Sequence, residues 1–406
     1  MPRTAQKGSL GGVSYSPQMQ NLGHMSAVNA FQAVANNSDR KLSSSELGQA
    51  GSAPAEKEAN QGWILNPILD YLFVCGGMMW LLFGVTQLGV DSVGSSVNNQ
   101  VYGTILYWGA LIFGDAHGPA SMVRVFGSST TPKKVRQIVI IWAVVLVCVA
   151  CVSICSRPVA QVFVTVTRLW AVQHYIAQTF GIVLIYCLKR DYKLSSVERF
   201  VFQGLMRTLM WCVFIRFFTF PEYGHVKDFM GMELPFYGPL PSIYAIAIQF
   251  VFTFFAMVFT ILVGIHLYNK KQFFPLPALF AIFSVAAVTL SPRNGFYMLG
   301  VTFLHGSQYV AITMAYFLRE RTLAQTGQIP RNVLPKIVSW WTLGWFGIIT
   351  ALGYVSAITM PLYWIKIGFP DTLVLCTFYG MLSCHHFLTD AFIWRIRDPK
   401  VRSLVV

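Results

Sequence analysis

The sequence predicts an all-α, polytopic membrane protein, a bundle of about ten transmembrane helices behind a disordered N-terminal tail. Composition is the first reason: the 406 residues are 55% hydrophobic and only 11% charged, with a mean hydropathy of +0.54. A soluble domain carries about twice that charged fraction. The second reason is patterning, because apolar runs of about 20 residues, the length that crosses a bilayer, alternate with short polar loops.

The two predicted domains differ in composition. Residues 1–60 are rich in Ser, Ala, Gln, Asn and Gly, and they contain neither a core-forming apolar sequence nor the apolar stretch of a cleavable signal peptide. We expect a disordered cytoplasmic tail there. Residues 61–406 form the predicted transmembrane helical domain.

Long apolar runs mark the predicted spans. The seventh is the shortest and contains Pro275 and Pro277, so a kinked or re-entrant segment is the alternative there. The spans are 64–89, 102–126, 136–156, 159–188, 197–220, 241–269, 274–291, 295–318, 337–359 and 369–395.

Basic residues predict the orientation of these spans. They cluster in the loops that follow the even-numbered spans, for example Lys133, Lys134 and Arg136, whereas the 91–100 loop has none. The positive-inside rule then places both termini in the cytoplasm. We expect an integral protein of a bacterial inner (plasma) membrane.

The formal net charge of +14 does not indicate a nucleic-acid partner, because the basic residues lie at the ends of apolar segments. The predicted partners are membrane lipids and an apolar small molecule, either for a stand-alone enzyme or for a subunit of a membrane complex. The 221–240 loop is predicted to be a cap or a lipid-facing lid, with an ordered loop at the interfacial aromatic belt as the alternative. Cys148, Cys151 and Cys155 follow one helix face, where a metal–thiolate site is the alternative to simple apolar packing.

The intramembrane histidines are the strongest functional signal. Outside the tail and the 221–240 loop, all of them fall in even-numbered spans, and most lie roughly 10 to 22 Å below the cytoplasmic surface at 1.5 Å per residue. His266 is shallower. In the tenth span, His386 and Asp390 are four residues apart and share one helix face. The predicted metal ligands are His117, His174, His305, His385, His386 and Asp390.

Polar neighbours accompany these histidines. Gln178 shares the face of His174, and Gln308 and Tyr309 follow His305 within a turn. We assign these three residues to the catalytic surroundings of the ion, where they would orient an imidazole or hold a water molecule.

Imidazoles and a carboxylate from facing helices are the ligands of oxygen-activating iron sites. We therefore expect one or two iron ions. Three alternatives remain: a haem or other tetrapyrrole held by a histidine pair, a proton path through a transporter or channel, and hydrogen-bonded packing of the helices.

Arginines inside the apolar runs need partners at that depth. The predicted partners of Arg168, Arg207 and Arg216 are acidic residues, with an anionic substrate head group as the alternative. The acidic candidates are Asp70, Asp115 and Asp390.

The four histidine-bearing segments resemble the integral-membrane, histidine-ligated iron oxygenases, and are most similar to the Brp/Blh-type carotene-cleaving dioxygenases. The HxxxH and HxxHH boxes of fatty-acid desaturases and hydroxylases are absent from the sequence. The resemblance implies an iron-dependent oxidoreductase that acts on a carotenoid, isoprenoid or acyl chain.

Overall fold

The computed structural model describes residues 62–90, 95–291, 299–330, 333–394 and 398–405. The predicted tail, residues 1–60, lies outside the described residues. The described chain is helical apart from one two-stranded hairpin, which confirms the all-α class.

The helices follow the apolar runs of the sequence. Four π-helical turns interrupt or precede them in the described chain: Asp70–Val74, Ala110–Gly114, Val301–Gly306 and Val355–Thr359. The helices are α1 (Pro67–Leu69), α2 (Gly77–Val90), α3 (Ser95–Gly109), α4 (Asp115–Gly127), α5 (Lys133–Cys155), α6 (Arg157–Lys189), α7 (Ser196–Thr219), α8 (Pro221–Gly224), α9 (Ser242–Lys270), α10 (Leu276–Leu290), α11 (Ser307–Thr326), α12 (Leu334–Ile337), α13 (Trp340–Tyr354), α14 (Met360–Lys366), α15 (Asp371–Ile393) and α16 (Pro399–Val405).

Several of these helices are membrane spans by length and composition. Five in the described chain qualify: α5, α6, α7, α9 and the continuous stretch Trp340–Lys366. A sixth arises if Pro67–Val74 and Gly77–Val85, which are bent by 66° at their junction, count as one span. These long apolar helices are therefore compatible with a membrane protein of several spans. The finer prediction of ten spans stays a prediction.

Burial separates central from peripheral spans. Only 6% of the most apolar window of α9 is buried inside the protein, against 61% for α6. Large apolar side chains such as Phe250 on α9 and Ile141 on α5 are exposed on the outside of the bundle. In a bilayer, these faces would contact lipid, since an exposed apolar surface of this extent is unfavourable in water.

Two glycines let helices approach closely around the centre of the bundle. A Cβ atom on Gly353 of α13 would lie 2.7 Å from the carbonyl oxygen of Asp115 at the start of α4. A Cβ atom on Gly306 would lie 2.8 Å from the carbonyl oxygen of Phe113. These contacts hold the segments bearing His117 and His305 against each other and against α13.

The loop after α7 forms a small cover over α6 and α15. Strands β1 (Val226–Phe229) and β2 (Met232–Leu234) pair antiparallel within it. Met232 and Leu234 are buried against α6, and Gln161 of α6 donates a hydrogen bond to the Glu233 carbonyl oxygen at 2.8 Å. The hairpin is thus an ordered segment packed on α6, and its position relative to a membrane stays a prediction.

The predicted arginine–carboxylate pairs do not form in the described part of the chain. Asp70 instead accepts hydrogen bonds from the backbone N–H groups of Ile64 and Leu65 and from the Tyr186 hydroxyl. Arg216 donates to the Leu290 carbonyl oxygen at 3.3 Å. For Asp70 and Arg216 the prediction was wrong because backbone groups, with the Tyr186 hydroxyl in the case of Asp70, take the place of the expected charged partners.

The cysteine alternative gains no support. Cys148, Cys151 and Cys155 are exposed on α5 as free thiols. The groups of metal-ligating residues found among the described residues contain no cysteine.

Candidate metal centre

Side chains from four segments meet in the interior of the bundle. His174 lies on α6, while His386 and Asp390 lie one turn apart on α15, and all three are buried. His305 comes from the π-helical turn before α11, and His117 from the first turn of α4. We call these five residues the histidine cluster.

Three donor atoms of the cluster have the spacing of ligands around one ion. His174 Nε2 and His386 Nε2 are 3.1 Å apart. Asp390 Oδ2 lies 3.4 Å from His386 Nε2 and 3.7 Å from His174 Nε2. With metal–ligand bonds of about 2.0 to 2.2 Å, neighbouring ligands lie roughly 2.8 to 3.6 Å apart, so small side-chain adjustments would accommodate an ion.

His117 and His305 bring further donors to the same place. Their ring centroids are 5.1 Å apart, and the His117 ring lies 4.4 Å from that of His386. Ligand atoms of His117, His305 and His386 fall within 4.8 Å of one another, as do those of His174, His386 and Asp390. Because both sets use His386, and one ring nitrogen coordinates a single ion, they describe one five-residue cluster.

The local backbone around two of these histidines is unusual. The π-helical turn Ala110–Gly114 ends just before the segment of His117, and the turn Val301–Gly306 contains His305. A π-helical turn inserts one residue and rotates the following side chains, and such turns are frequent at functional sites. Apart from neighbouring glycines, no sequence pattern indicates these turns.

Hydrogen bonds outside the cluster fix the imidazoles. His117 Nδ1–H donates to the Gly114 carbonyl oxygen, which leaves its Nε2 lone pair for the cluster. Ser121 Oγ lies 2.7 Å from His386 Nδ1 and 3.1 Å from Asp390 Oδ1. If Ser121 donates to Asp390, His386 Nδ1–H donates to Ser121, and the lone pair of His386 Nε2 is likewise free.

The two oxygens of the Asp390 carboxylate face different groups. The Tyr309 hydroxyl donates to Oδ1 at 2.6 Å, while Oδ2 faces the imidazoles. Trp394 Nε1–H in turn donates to the Tyr309 oxygen at 3.3 Å. Oδ1 is therefore saturated by the protein, and Oδ2 is left for an ion, which is the usual arrangement of a ligating carboxylate.

The two predicted glutamines lie beside the cluster and form hydrogen bonds with each other and with backbone carbonyl oxygens. Gln178 donates to the His305 carbonyl oxygen at 3.1 Å and to Gln308 Oε1 at 3.0 Å. Gln308 donates to the Val74 carbonyl oxygen at 2.7 Å. Gln178 thereby holds the His305 segment against α6, and Gln308 holds the start of α11 against the turn Asp70–Val74. A small cavity of about 10 Å³ beside them is lined by His305, Tyr175 and Thr179 among others.

His385 does not join the cluster. Its Nε2 contacts the Val139 carbonyl oxygen at 3.3 Å, and its ring lines an apolar surface groove of about 380 Å³ between α4 and α5. Successive residues of a helix point about 100° apart, so His385 and His386 face different neighbours.

Arg124 was missed by the sequence reasoning as part of the surroundings. Its guanidinium carbon lies 3.6 Å from the Trp394 ring centroid and 4.0 Å from that of Tyr316, and Nη2 donates to the Ile393 carbonyl oxygen at 2.8 Å. This buried cation packs against Trp394, which donates a hydrogen bond to the Tyr309 oxygen. Ser121 was missed as well, because a single serine in an apolar helix carries no sequence signal.

Comparison of the chain with models of protein families, with curated proteins and with solved structures found no match. The geometry of the histidine cluster is therefore the basis for a functional assignment.

Proposed function

We propose that this protein is a membrane-embedded, metal-dependent oxidoreductase or oxygenase that acts on a lipid-soluble substrate, such as a carotenoid, isoprenoid or acyl chain. The convergence of His117, His174, His305, His386 and Asp390 at one buried point carries the proposal. Buried polar groups at membrane depth are costly unless they have a function or a partner.

The donor set favours a redox-active ion. Imidazoles with one carboxylate and no thiolate suit iron, and an iron that activates oxygen needs protein ligands plus an open position. The cavity beside His305 has room for about one water-sized molecule. A small ligand such as O₂ or water would occupy it next to the ion.

A single ion is favoured over a haem. The imidazole rings contact one another, with centroids of His174 and His305 5.0 Å apart and of His174 and His386 4.8 Å apart. A tetrapyrrole would have to separate the rings that it joins. An iron held directly by the rings needs no such rearrangement.

The protein's own groups would orient and tune the ion. Tyr309 and Ser121 hold Asp390 Oδ1, which aims Oδ2 at the ion, and the Gly114 carbonyl oxygen fixes the tautomer of His117. The glutamines Gln178 and Gln308 would shape the position where the small ligand binds. The resemblance to Brp/Blh-type dioxygenases agrees with this assignment.

A proton path is the second candidate, and one observation favours it. The contacts His174–His386, His386–Ser121 and Ser121–Tyr309 are each 2.7 to 3.1 Å long and would pass a proton. A transporter of this kind would show pH-dependent flux that chelators do not change.

Metal analysis of the purified protein tests the main proposal. Protein expressed with iron and isolated in detergent should contain about one iron per chain, and a strong chelator should remove it together with the activity. Folded protein that contains no transition metal, from cells supplied with iron, manganese and zinc, would contradict the proposal.

The membrane topology is a further part of the proposal. We propose ten spans, cytoplasmic termini and residence in a bacterial inner membrane, supported by the basic loops that follow the even-numbered spans. Reporter fusions within the 91–100 loop should read outside, and fusions after Lys134 and at the C-terminus should read inside. A C-terminal fusion that reads outside would contradict this topology.

A further inference from the structure

We infer that Arg168 of α6 is the binding site for the anionic head group of an amphipathic lipid, whose chain extends along α6 toward the histidine cluster. The inference rests on the proposed function only in treating this lipid as the substrate. The binding itself needs no metal.

Arg168 is a buried cation whose side chain ends without a hydrogen-bonding partner among the described residues. Its relative exposure is 7%, and neither Nη1 nor Nη2 has an acceptor within that part of the chain. None of the ion pairs in the described part of the chain involves it. Buried Arg319 differs, since it donates to the carbonyl oxygens of Leu404, Val405 and Ile64.

The surroundings of Arg168 are aromatic rather than acidic. Its guanidinium carbon lies 5.0 Å from the Phe217 ring centroid and 5.7 Å from that of Phe229. Rings of this kind attract a cation and exclude water, but they leave its N–H donors unused. The hydroxyl of Thr165, one turn earlier on α6, is also buried and has no hydrogen-bond partner in the described chain. A carboxylate or phosphate would satisfy these donors, because guanidinium binds both with two parallel hydrogen bonds.

The position of Arg168 relates it to the proposed reaction site. Tyr175 and Thr179 follow it by seven and eleven residues, so all three lie within about 20° of one helix face. Tyr175 and Thr179 also line the cavity beside His305. The distance along the axis from Arg168 to Tyr175 is about 10 Å, which a lipid chain would span.

The hairpin places this site beneath a cover. Phe229 belongs to β1, and its carbonyl oxygen accepts from the Cys376 thiol of α15 at 3.3 Å. The ring of Phe229 also lies 5.2 Å from that of Tyr379. The hairpin therefore closes over the guanidinium, and a head group bound there would be shielded from water, where its pairing with Arg168 is strongest.

Lipid binding to the full chain in detergent tests the inference. The probes are oleate, oleyl phosphate and uncharged oleyl alcohol, each measured by displacement of a fluorescent fatty acid. We expect oleate to bind at least about tenfold more tightly than oleyl alcohol, and Arg168→Gln to remove that difference. Arg168→Lys should retain part of it. Arg157→Gln, at an exposed arginine of the same helix, should leave it unchanged.

The outcomes separate the alternatives. Tighter binding of oleyl phosphate that also depends on Arg168 would assign a phosphorylated lipid, whereas tighter binding of oleate would assign a lipid-soluble acid. Equal affinities of the three probes for the wild-type protein would overturn the inference, even if Arg168→Gln fails to fold. Iron content, measured on the same samples, should not change in Arg168→Gln. Metal-free protein that binds oleate through Arg168 would contradict the proposed function but not the anion site.

Discussion

Among the described residues, two clusters combine histidine, a carboxylate and a tyrosine, and only one of them is the proposed metal site. The first is the histidine cluster with Tyr309. The second, which we call the Glu198 cluster, consists of Glu198, His266 and Tyr192 between α6, α7 and α9. Their residue types are the same, but their hydrogen bonding differs.

In the Glu198 cluster, both carboxylate oxygens have hydrogen-bond partners. Glu198 Oε1 lies 2.9 Å from His266 Nδ1 and accepts from the Tyr192 hydroxyl at 3.0 Å, while Oε2 accepts from the Ser195 N–H at 2.7 Å. Burial and the bond to the Glu198 carboxylate raise the pKa of Tyr192, so its phenol stays protonated as a donor. The Ser195–Glu198 pair is also the capping box that begins α7.

The histidine cluster leaves acceptors turned toward one another. Asp390 Oδ2 and the Nε2 atoms of His174 and His386 lie within 3.7 Å of one another, and His305 Nδ1 has no hydrogen-bond partner among the described residues. If both ring nitrogens present lone pairs, these acceptors would repel one another until a cation lies among them. The completeness of hydrogen bonding, rather than residue type, therefore distinguishes the Glu198 cluster from the proposed metal site.

Removing an imidazole from each cluster gives the largest expected contrast. His174→Ala should lower the iron content of purified protein by at least about tenfold, because it deletes a ligand. His266→Ala is the matched control and should retain the iron. Metal analysis after size-exclusion chromatography provides the measurement. Retention of full iron content in His174→Ala would remove His174 from the site.

Removing one hydroxyl from each cluster gives the next effect. Tyr309→Phe deletes the hydrogen bond to Asp390 Oδ1 and should weaken iron binding by about 10- to 100-fold, as is typical of groups that orient a ligand. Tyr192→Phe should not change it. Competition with a chelator of known affinity measures both. Equal affinities in the two variants would show that Tyr309 does not orient Asp390.

The Glu198 cluster should respond in stability rather than in metal content. Glu198→Gln removes a buried acceptor of charge-assisted bonds and should lower the free energy of unfolding by about 1 to 3 kcal/mol. Thermal unfolding in detergent, followed by tryptophan fluorescence, would show a lower midpoint with unchanged iron per chain. A loss of iron that precedes unfolding would contradict a purely structural role for the Glu198 cluster.

Of all the variants, His385→Ala should have the smallest effect on iron content, and its neighbour His386 on α15 provides the contrast. His385→Ala should leave the iron content unchanged, since His385 faces the groove between α4 and α5, whereas His386→Ala should lose the iron. Metal analysis of the two variants side by side makes the comparison. Loss of iron in His385→Ala would place a rotated α15 in the functional state.

The sequence by itself determined the helical class and the segments in which the helices lie. Apolar runs of membrane length have few alternatives, because a backbone in lipid must satisfy its hydrogen bonds internally. Spacing along one helix also placed His386 and Asp390 on a common face. The similar depths of His117, His174 and His305 followed from counting residues to the basic helix ends.

Only the tertiary structure decided which side chains meet. The rotation of each helix about its axis depends on packing and on π-helical turns, so the sequence could not separate His385 from His386 or aim His117 and His305 inward. It also could not reveal that Ser121 reaches Asp390, or that backbone carbonyls rather than carboxylates accept the hydrogen bonds of Arg216 and Arg319. Contacts between helices far apart in the chain fix these choices, because each depends on the shape of a neighbouring surface.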